Sequence, residues 1–412
     1  MKLTVKNRYL YEDGKPFFWL GDTAWLLFEK LNLDEIKHYL TVRAEQGFNV
    51  VQATILHTPS GVESGKTANK QYFDKIAASV EFAKSKGIYF GLLPCWGAFV
   101  KQEIVNEANY KTYANYLGER FKTYENIIWV LGGDIRGSVA PDLFNGFGQI
   151  LKEHNPQRLI TFHPFGRTGS YRWFNECDWL DLNMFQSGHR RYGQIMPTAD
   201  DNAVAGENNY EEDNYKYIKE SQSLTPVKPC LDGEPSYEAI VQGLHDFTQP
   251  RWQAKDVRRY AYWSVLSGAC GFTYGHNAVM QFHRFGDEDA SYGVNEEWRT
   301  ALFSEGAGQM KYLKELMLSV DFTKGICRDE LIINNGERYG HTALFAGENF
   351  ALLYNFSGDA IRLNPPFEGA CAAYEFNPTN GEKKFIANFD CKKNLEFAAT
   401  NDCDRVIILK KI

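Results

Sequence analysis

The chain has 412 residues, and 45 Lys and Arg against 52 Asp and Glu leave a formal charge of −7; at ~100–200 residues per domain this length asks for two or three domains, or one large domain with an appendage. Apolar residues at 44% and charged residues at 24% exclude a disordered chain, and the mildly acidic balance offers no positive field for a phosphate backbone, so no nucleic-acid partner is expected. No apolar run reaches the ~18–20 residues of a membrane span, so no membrane partner is expected either; the compositional outlier is aromatic content, at 15%.

The first residues, Met1 to Arg8, contain no apolar core of the kind a signal sequence needs. The expectation is a cytoplasmic protein, or an exported one whose leader has been removed. From residue 17 to about 318, strand-like apolar runs alternate with helical patterns. The strands are expected at 17–22, 49–56, 88–96, 127–134, 159–165, 180–186, 226–234 and 271–277. Their nearly continuous hydrophobicity suits parallel strands covered on both faces. Asn32 with Glu35 predicts a helix start and Gly47 its end. Phe73, Ile76, Ala77, Val80 and Ala83 form the buried stripe of a second helix stopped by Gly87, and Tyr113, Leu117 and Phe121 begin a third.

Eight strands, each followed by a helix, predict a (β/α)₈ barrel within the α/β class, spanning 1–320 and closed by a helix carrying Trp298 and Leu313. The rival, a doubly wound sheet, needs a glycine-rich phosphate turn after its first strand. Here that strand runs into Gly21-Asp22-Thr23-Ala24-Trp25. The polar segment 187–214 then follows strand six and is expected at the barrel rim. Beyond residue 320 the pattern becomes short strands (331–333, 342–346, 350–354, 372–376, 395–398, 406–409) between Asn-Gly and Ser-Gly-Asp turns, which predicts a C-terminal antiparallel β-sandwich over 321–412. Eight scattered cysteines (95, 177, 230, 270, 327, 371, 391 and 403), with no CxxC pair, predict neither a disulfide framework nor a structural zinc site.

A barrel gathers its reactive groups at the C-terminal ends of its strands. Those ends supply Asp22, His57, Trp96, Asp134, His163, Gln186, Glu234 and His276, with His189 three residues after Gln186. Asp134 closes an apolar strand after two glycines that would let a ligand approach, and Glu234 closes another. An acid at the end of an apolar strand is solvated at the mouth or put to use. Two carboxylates across a barrel mouth are what glycosidic cleavage requires, one holding a proton for the leaving oxygen while the other attacks or activates water. Trp25, Trp96, Phe99, Tyr237, Tyr274 and Phe282 would give sugar rings their stacking surfaces. The histidines and acids could instead ligate a metal, but there is no HxH, no HExxH and no close His/Cys grouping, so no metal or other cofactor is expected. A serine nucleophile lacks its GxSxG elbow.

The segments from Lys15 to Trp25, Gly132-Gly133-Asp134, Asp232-Gly233-Glu234-Pro235 and Gly271 to Asn277 resemble the signature segments of the apiosidase-like glycoside hydrolases, family 140, from about Lys6 to the chain end. The resemblance implies a (β/α)₈ barrel followed by a small β-sandwich of the type labelled collagen-binding. It also implies that the Asp after strand four, Asp134, is the acid/base and the Glu after strand seven, Glu234, the nucleophile. The expectation is a retaining glycosidase acting on side chains of plant cell-wall or related polysaccharides. Asp22, Trp25, His57, Trp96, His163, Gln186, His189, Tyr237, Tyr274 and His276 are its candidate substrate-binding residues. A carbohydrate-binding barrel without turnover and a metal-dependent hydrolase are the alternatives. The oligomeric state is left open.

Overall fold

The computed structural model describes residues 1–194, 210–400 and 404–412. Much of the predicted rim segment and Cys403 therefore lie outside the described residues. Eight parallel strands form the barrel: β1 Trp19–Thr23, β2 Val50–Leu56, β3 Tyr89–Cys95, β4 Ile127–Ile135, β5 Ile160–Pro164, β6 Asn183–Phe185, β7 Cys230–Asp232 and β8 Gly271–Tyr274. They pair in the order β5-β4-β3-β2-β1-β8-β7-β6. The seam between β5 and β6 is closed by single bonds. Asp181 N donates to Ile160 O at 2.9 Å, Thr161 Oγ1 donates to Leu182 O at 2.8 Å, and the Asp181 carboxylate accepts from Ile160 N at 2.7 Å.

The helices between strands are readable from their ends. Asn32 and Glu35 form a reciprocal capping box on α1, Leu33–Glu45, and Asn69 caps α2, Lys70–Ser85. α3 is Tyr110–Phe121, α4 Pro141–His154, and only the four-residue Tyr171–Phe174 follows β5. α5 Asn214–Gln222, α6 Ala254–Leu266 and α7 Glu305–Leu318 complete the ring. The expected single closing helix is two pieces: Trp298–Ala301 stands apart from α7 because Ser304 adopts an extended ψ of 149°. Among the described residues no helix is long and apolar enough to cross a membrane.

The start of the chain departs from expectation too. Phe17, expected to open the first barrel strand, instead ends Lys15–Phe17, which completes an antiparallel meander with Leu3–Lys6 and Tyr9–Glu12. This meander lies at the N-terminal end of the barrel, where Tyr89, the first residue of β3, donates its hydroxyl to Glu12 at 2.8 Å and packs edge-on against Phe17.

Beyond α7 the strands pair antiparallel again. β9 Ile326–Cys327, β10 Thr342–Ala346, β11 Phe350–Asn355, β13 Ala370–Phe376, β14 Lys383–Asp390 and β16 Arg405–Lys411 form one sheet in the order β9-β10-β11-β16-β13-β14. β12 Ile361–Leu363 pairs with β15 Leu395–Phe397 in a second. Leu344, Leu353, Ile361, Leu363, Phe397 and Ile407 make the core between them. The strand expected at 331–333 is instead a 3-10 turn, Asp329–Leu331, followed by a single bridge from Ile332 to Leu363. This unit is locked to the barrel through α6, a helix buried on nearly every side. Arg258 holds Asp404 with two nitrogens, at 2.7 and 2.6 Å. Tyr262 stacks on Tyr354 with centroids 4.6 Å apart, and Trp263 Nε1 donates to His341 O at 3.2 Å.

Candidate active site

Strand β4 does not end as an ordinary strand. Gly132, Gly133 and Asp134 have φ of 88°, 97° and 50°, and the register with β5 jumps between Gly132 and Ile135. Such a bulge re-aims a side chain at a barrel rim. Both glycines are also sterically required. A Cβ on Gly132 would lie 2.4 Å from His163 O, and one on Gly133 would lie 2.7 Å from the Trp96 ring. The carboxyl of Asp134 thereby reaches the wall of a cavity, while its carbonyl accepts from Lys101 Nζ at 2.9 Å.

Strand β7 delivers Glu234 by a different route. Gly233 O accepts from Gln52 Nε2 at 2.8 Å, and Glu234 O accepts from Gly188 N at 3.0 Å. This draws the segment after β6 against the end of β7 and brings His189 to the acid. His189 Nε2 sits 2.9 Å from Glu234 Oε1, and His163 Nε2 of β5 sits 3.0 Å from Oε2. Each carboxylate oxygen therefore faces one imidazole nitrogen.

The two acids are driven apart electrostatically. Burial, with the nearby charge of Glu234, raises Asp134 to about 6 against the pull of His163, Gln186 and His189. Burial works to raise Glu234 as well, but hydrogen bonds and charge from His163 and His189 prevail and hold it at about 2. His57 is lowered to about 4 by burial, opposed by Glu234, and so stays a neutral ring.

The cavity encloses about 190 Å³. Trp25, His57, Trp96, Asp134, Gln186, His189, Glu234 and Tyr237 all line it. Trp25 Nε1 donates to the Tyr237 hydroxyl at 3.0 Å, its ring meets Trp96 at 5.1 Å, and His57 lies at 4.8 Å from Trp96 in a tilted stack. His163 is fully buried beneath and addresses the cavity through Glu234.

Three predicted binding residues are placed elsewhere. Asp22 is buried against α1, accepting from the Tyr39 hydroxyl at 2.5 Å and from Arg43 Nε at 2.6 Å. Tyr274 is buried with its hydroxyl on Glu238 at 2.5 Å. His276 caps Ala278 N at 3.1 Å, with its other nitrogen 3.4 Å from Glu296. For Asp22 and Tyr274 the cause is strand parity: alternate residues face the barrel interior or the helix layer, and a strand buried on both faces does not reveal which. His276 lies beyond β8 and is taken up as the cap of the short helix Asn277–Met280. Phe99 and Phe282 are likewise core.

The sequence reading missed the far wall, made of Leu26, Ile240, Leu244, Met280, Gln281, Ser291 and Tyr292. Most come from the loops after β7 and β8, which tertiary bonds fix. Arg251 donates to Ala239 O at 2.7 Å and to Gly293 O at 2.5 Å, and Gln281 Oε1 accepts from Ser291 N at 2.8 Å. Asp134, His189, Leu244 and Tyr292 all carry positive φ, a strain that persists only where the surroundings over-determine it and that clusters at functional sites. A larger cavity of about 530 Å³ lies between α6 and the C-terminal sheet, where Arg258 and Asp404 satisfy each other. Among the described residues no group of three or more His, Cys, Asp or Glu is arranged to hold a metal ion.

The family model for the apiosidase-like catalytic domain matches residues 4–324. The chain belongs to the apiosidase-like glycoside hydrolases. A solved structure described as a glycoside hydrolase is 39% identical to it with a TM-score of 0.92, the alignment covering 100% of this chain and 97% of that one. A glycoside hydrolase family 5 structure from Bacteroides vulgatus ATCC 8482 is also 39% identical, with a TM-score of 0.92 and coverage of 100% and 94%. An endo-1,4-beta-mannanase from Rhizomucor miehei, at 12% identity, shares the fold alone, with a TM-score of 0.52 over 78% of this chain and 100% of that one. No curated protein matches the chain. In this apiosidase-like hydrolase the family match ends at 324, just before the antiparallel sheets begin at Ile326.

Proposed function

We propose that the protein is a retaining glycosidase acting on side chains of plant cell-wall or related polysaccharides, with Asp134 as general acid/base and Glu234 as nucleophile. One observation carries the assignment of the acid and its charged partner: two carboxyls on one small cavity are pushed in opposite directions, Asp134 to about 6 and Glu234 to about 2. Near pH 5–6 one still holds a proton and the other is ionised, which is the division of labour the chemistry needs. Asp134 gives its proton to the leaving oxygen as the glycosidic bond breaks. Glu234 then bonds to the anomeric carbon as positive charge builds on the ring. Water then attacks the anomeric carbon of this glycosyl ester, loses its proton to Asp134 and breaks the bond to Glu234, which leaves as the carboxylate. The His163 and His189 nitrogens hold the nucleophile ionised and oriented, and Trp25 and Trp96 provide apolar faces for ring C–H groups. A volume of about 190 Å³ is that of roughly six waters at ~30 Å³ each, enough for a single sugar unit.

The test is a screen of the purified protein against aryl glycosides and pectic oligosaccharides, reading released sugar, followed by labelling with an activated 2-fluoro glycoside of the sugar found. A mass increase on the peptide carrying Glu234 is expected. Normal turnover by Glu234→Gln, or turnover abolished by EDTA, would overturn the assignment.

A further inference from the structure

On the glycosidase reading a cavity of about 190 Å³ takes one sugar unit, which leaves the unit on the leaving side of the scissile bond at the rim. The loop after β7 places an aromatic ring there. Leu244 lines the cavity, and the chain then continues through His245 and Asp246 to Phe247, a residue 64% exposed. Single exposed aromatics are common and need no explanation. The setting of this one is particular. Its ring lies against the backbone of Gly293, where an added Cβ would be 3.1 Å from it. Gly293 follows Tyr292, a residue of the cavity wall that feels the charge of both Asp134 and Glu234. His245 meets the Tyr292 ring at 6.1 Å.

The assembly is also held in place. The Asp246 carboxylate accepts from Thr248 N at 3.1 Å, Thr248 Oγ1 at 2.6 Å and Gln249 Nε2 at 2.8 Å, closing the tip. Arg251 ties Ala239 O of this loop to Gly293 O of the next. An exposed aromatic ring packed against a glycine on a loop held by these bonds is prepared for a flat ligand at little entropic cost.

We propose that Phe247, backed by Gly293 and positioned by Arg251, is the stacking platform for the sugar unit on the leaving side of the bond. The inference rests on the glycosidase reading and deepens it. Its test compares two substrates of the same sugar. One is an oligosaccharide carrying a second unit at the scissile bond, and the other is the glycosyl fluoride, whose leaving group cannot reach Phe247. For Phe247→Ala the ratio of kcat/KM on the oligosaccharide to that on the fluoride falls about tenfold, mainly through KM, and Phe247→Trp restores it. Phe285→Ala, which removes an equally exposed ring from the neighbouring loop, leaves the ratio as in the wild type. A ratio unaffected by Phe247→Ala, or a fall equalled by Phe285→Ala, overturns the platform alone. A wild type that neither cleaves nor binds any oligosaccharide, read by quenching of Trp25 and Trp96 fluorescence, overturns the glycosidase reading and the platform together.

Discussion

Asp22, the last residue but one of β1, and Glu234, two residues beyond β7, are both buried carboxylates near the C-terminal end of a barrel strand, yet their surroundings differ. Asp22 faces outward into the helix layer, where Arg43 and Tyr39 take one oxygen and Arg43 continues to Gln46 and to Leu302 O. A guanidinium does not deprotonate in proteins, so this pair is a fixed bolt between β1 and α1. Glu234 faces inward, and its partners are two imidazoles that leave it open to the cavity. On the proposed reading, a strand-end acid serves chemistry when it lies on the interior side and its neighbours hold its charge without covering it.

Exchanging the roles of these two regions should expose the difference. The largest effect is expected for Glu234→Gln, with turnover reduced by on the order of 10³-fold or more and little change in thermal midpoint, read by steady-state kinetics beside calorimetry. Arg43→Met should do the reverse. Leaving Asp22 as an uncompensated buried charge should cost ~3–5 kcal/mol in urea unfolding, while the molecules still folded keep near-normal kcat. A mutant that lost activity without losing stability would place Asp22 in the chemistry after all.

The pH profile is the next test. Asp134 must be protonated, so kcat/KM should fall about tenfold per unit as pH rises above about 6. Glu234 must be ionised, so the acidic limb should not appear until pH approaches about 2 or the fold fails. The smallest effect concerns stability. The folded value of Asp134 lies above the ordinary carboxylate value of ~3.9, so the wild type loses stability as pH rises from there through about 6. Asn cannot titrate and tolerates positive φ. Asp134→Asn should therefore match the wild type near pH 4 and exceed it by ~1 kcal/mol above pH 7, the partial exposure of the group limiting the gain. With an activated glycosyl substrate, azide should partly restore its turnover.

The barrel was legible because eight apolar runs alternate with capped helices, and Asp134 and Glu234 were legible because each interrupts such a run at its end. Which strand-end groups reach the cavity was not. Asp22, Tyr274 and His276 carry the same signal as Glu234, and only packing against Arg43, Glu238 and Glu296 separates them. Nor was the far wall, because Leu244, Gln281, Ser291 and Tyr292 reach the cavity through long-range bonds such as those of Arg251. The bulge at Gly132 and Gly133 was half visible: two glycines before an acid signalled close approach, but not the run of positive φ that turns Asp134 inward.

The double contact of Arg258 with Asp404 bears on how such a protein can be taken apart. A domain that joins its neighbour through a wet, polar seam can be shuffled among hosts or cut away. Here a guanidinium on a fully packed barrel helix finds its counter-ion eight residues before the chain ends. Deleting the C-terminal sheets would strand that charge and bare the Tyr262 and Trp263 rings. A gene fragment encoding the barrel alone should therefore yield aggregate rather than a smaller enzyme.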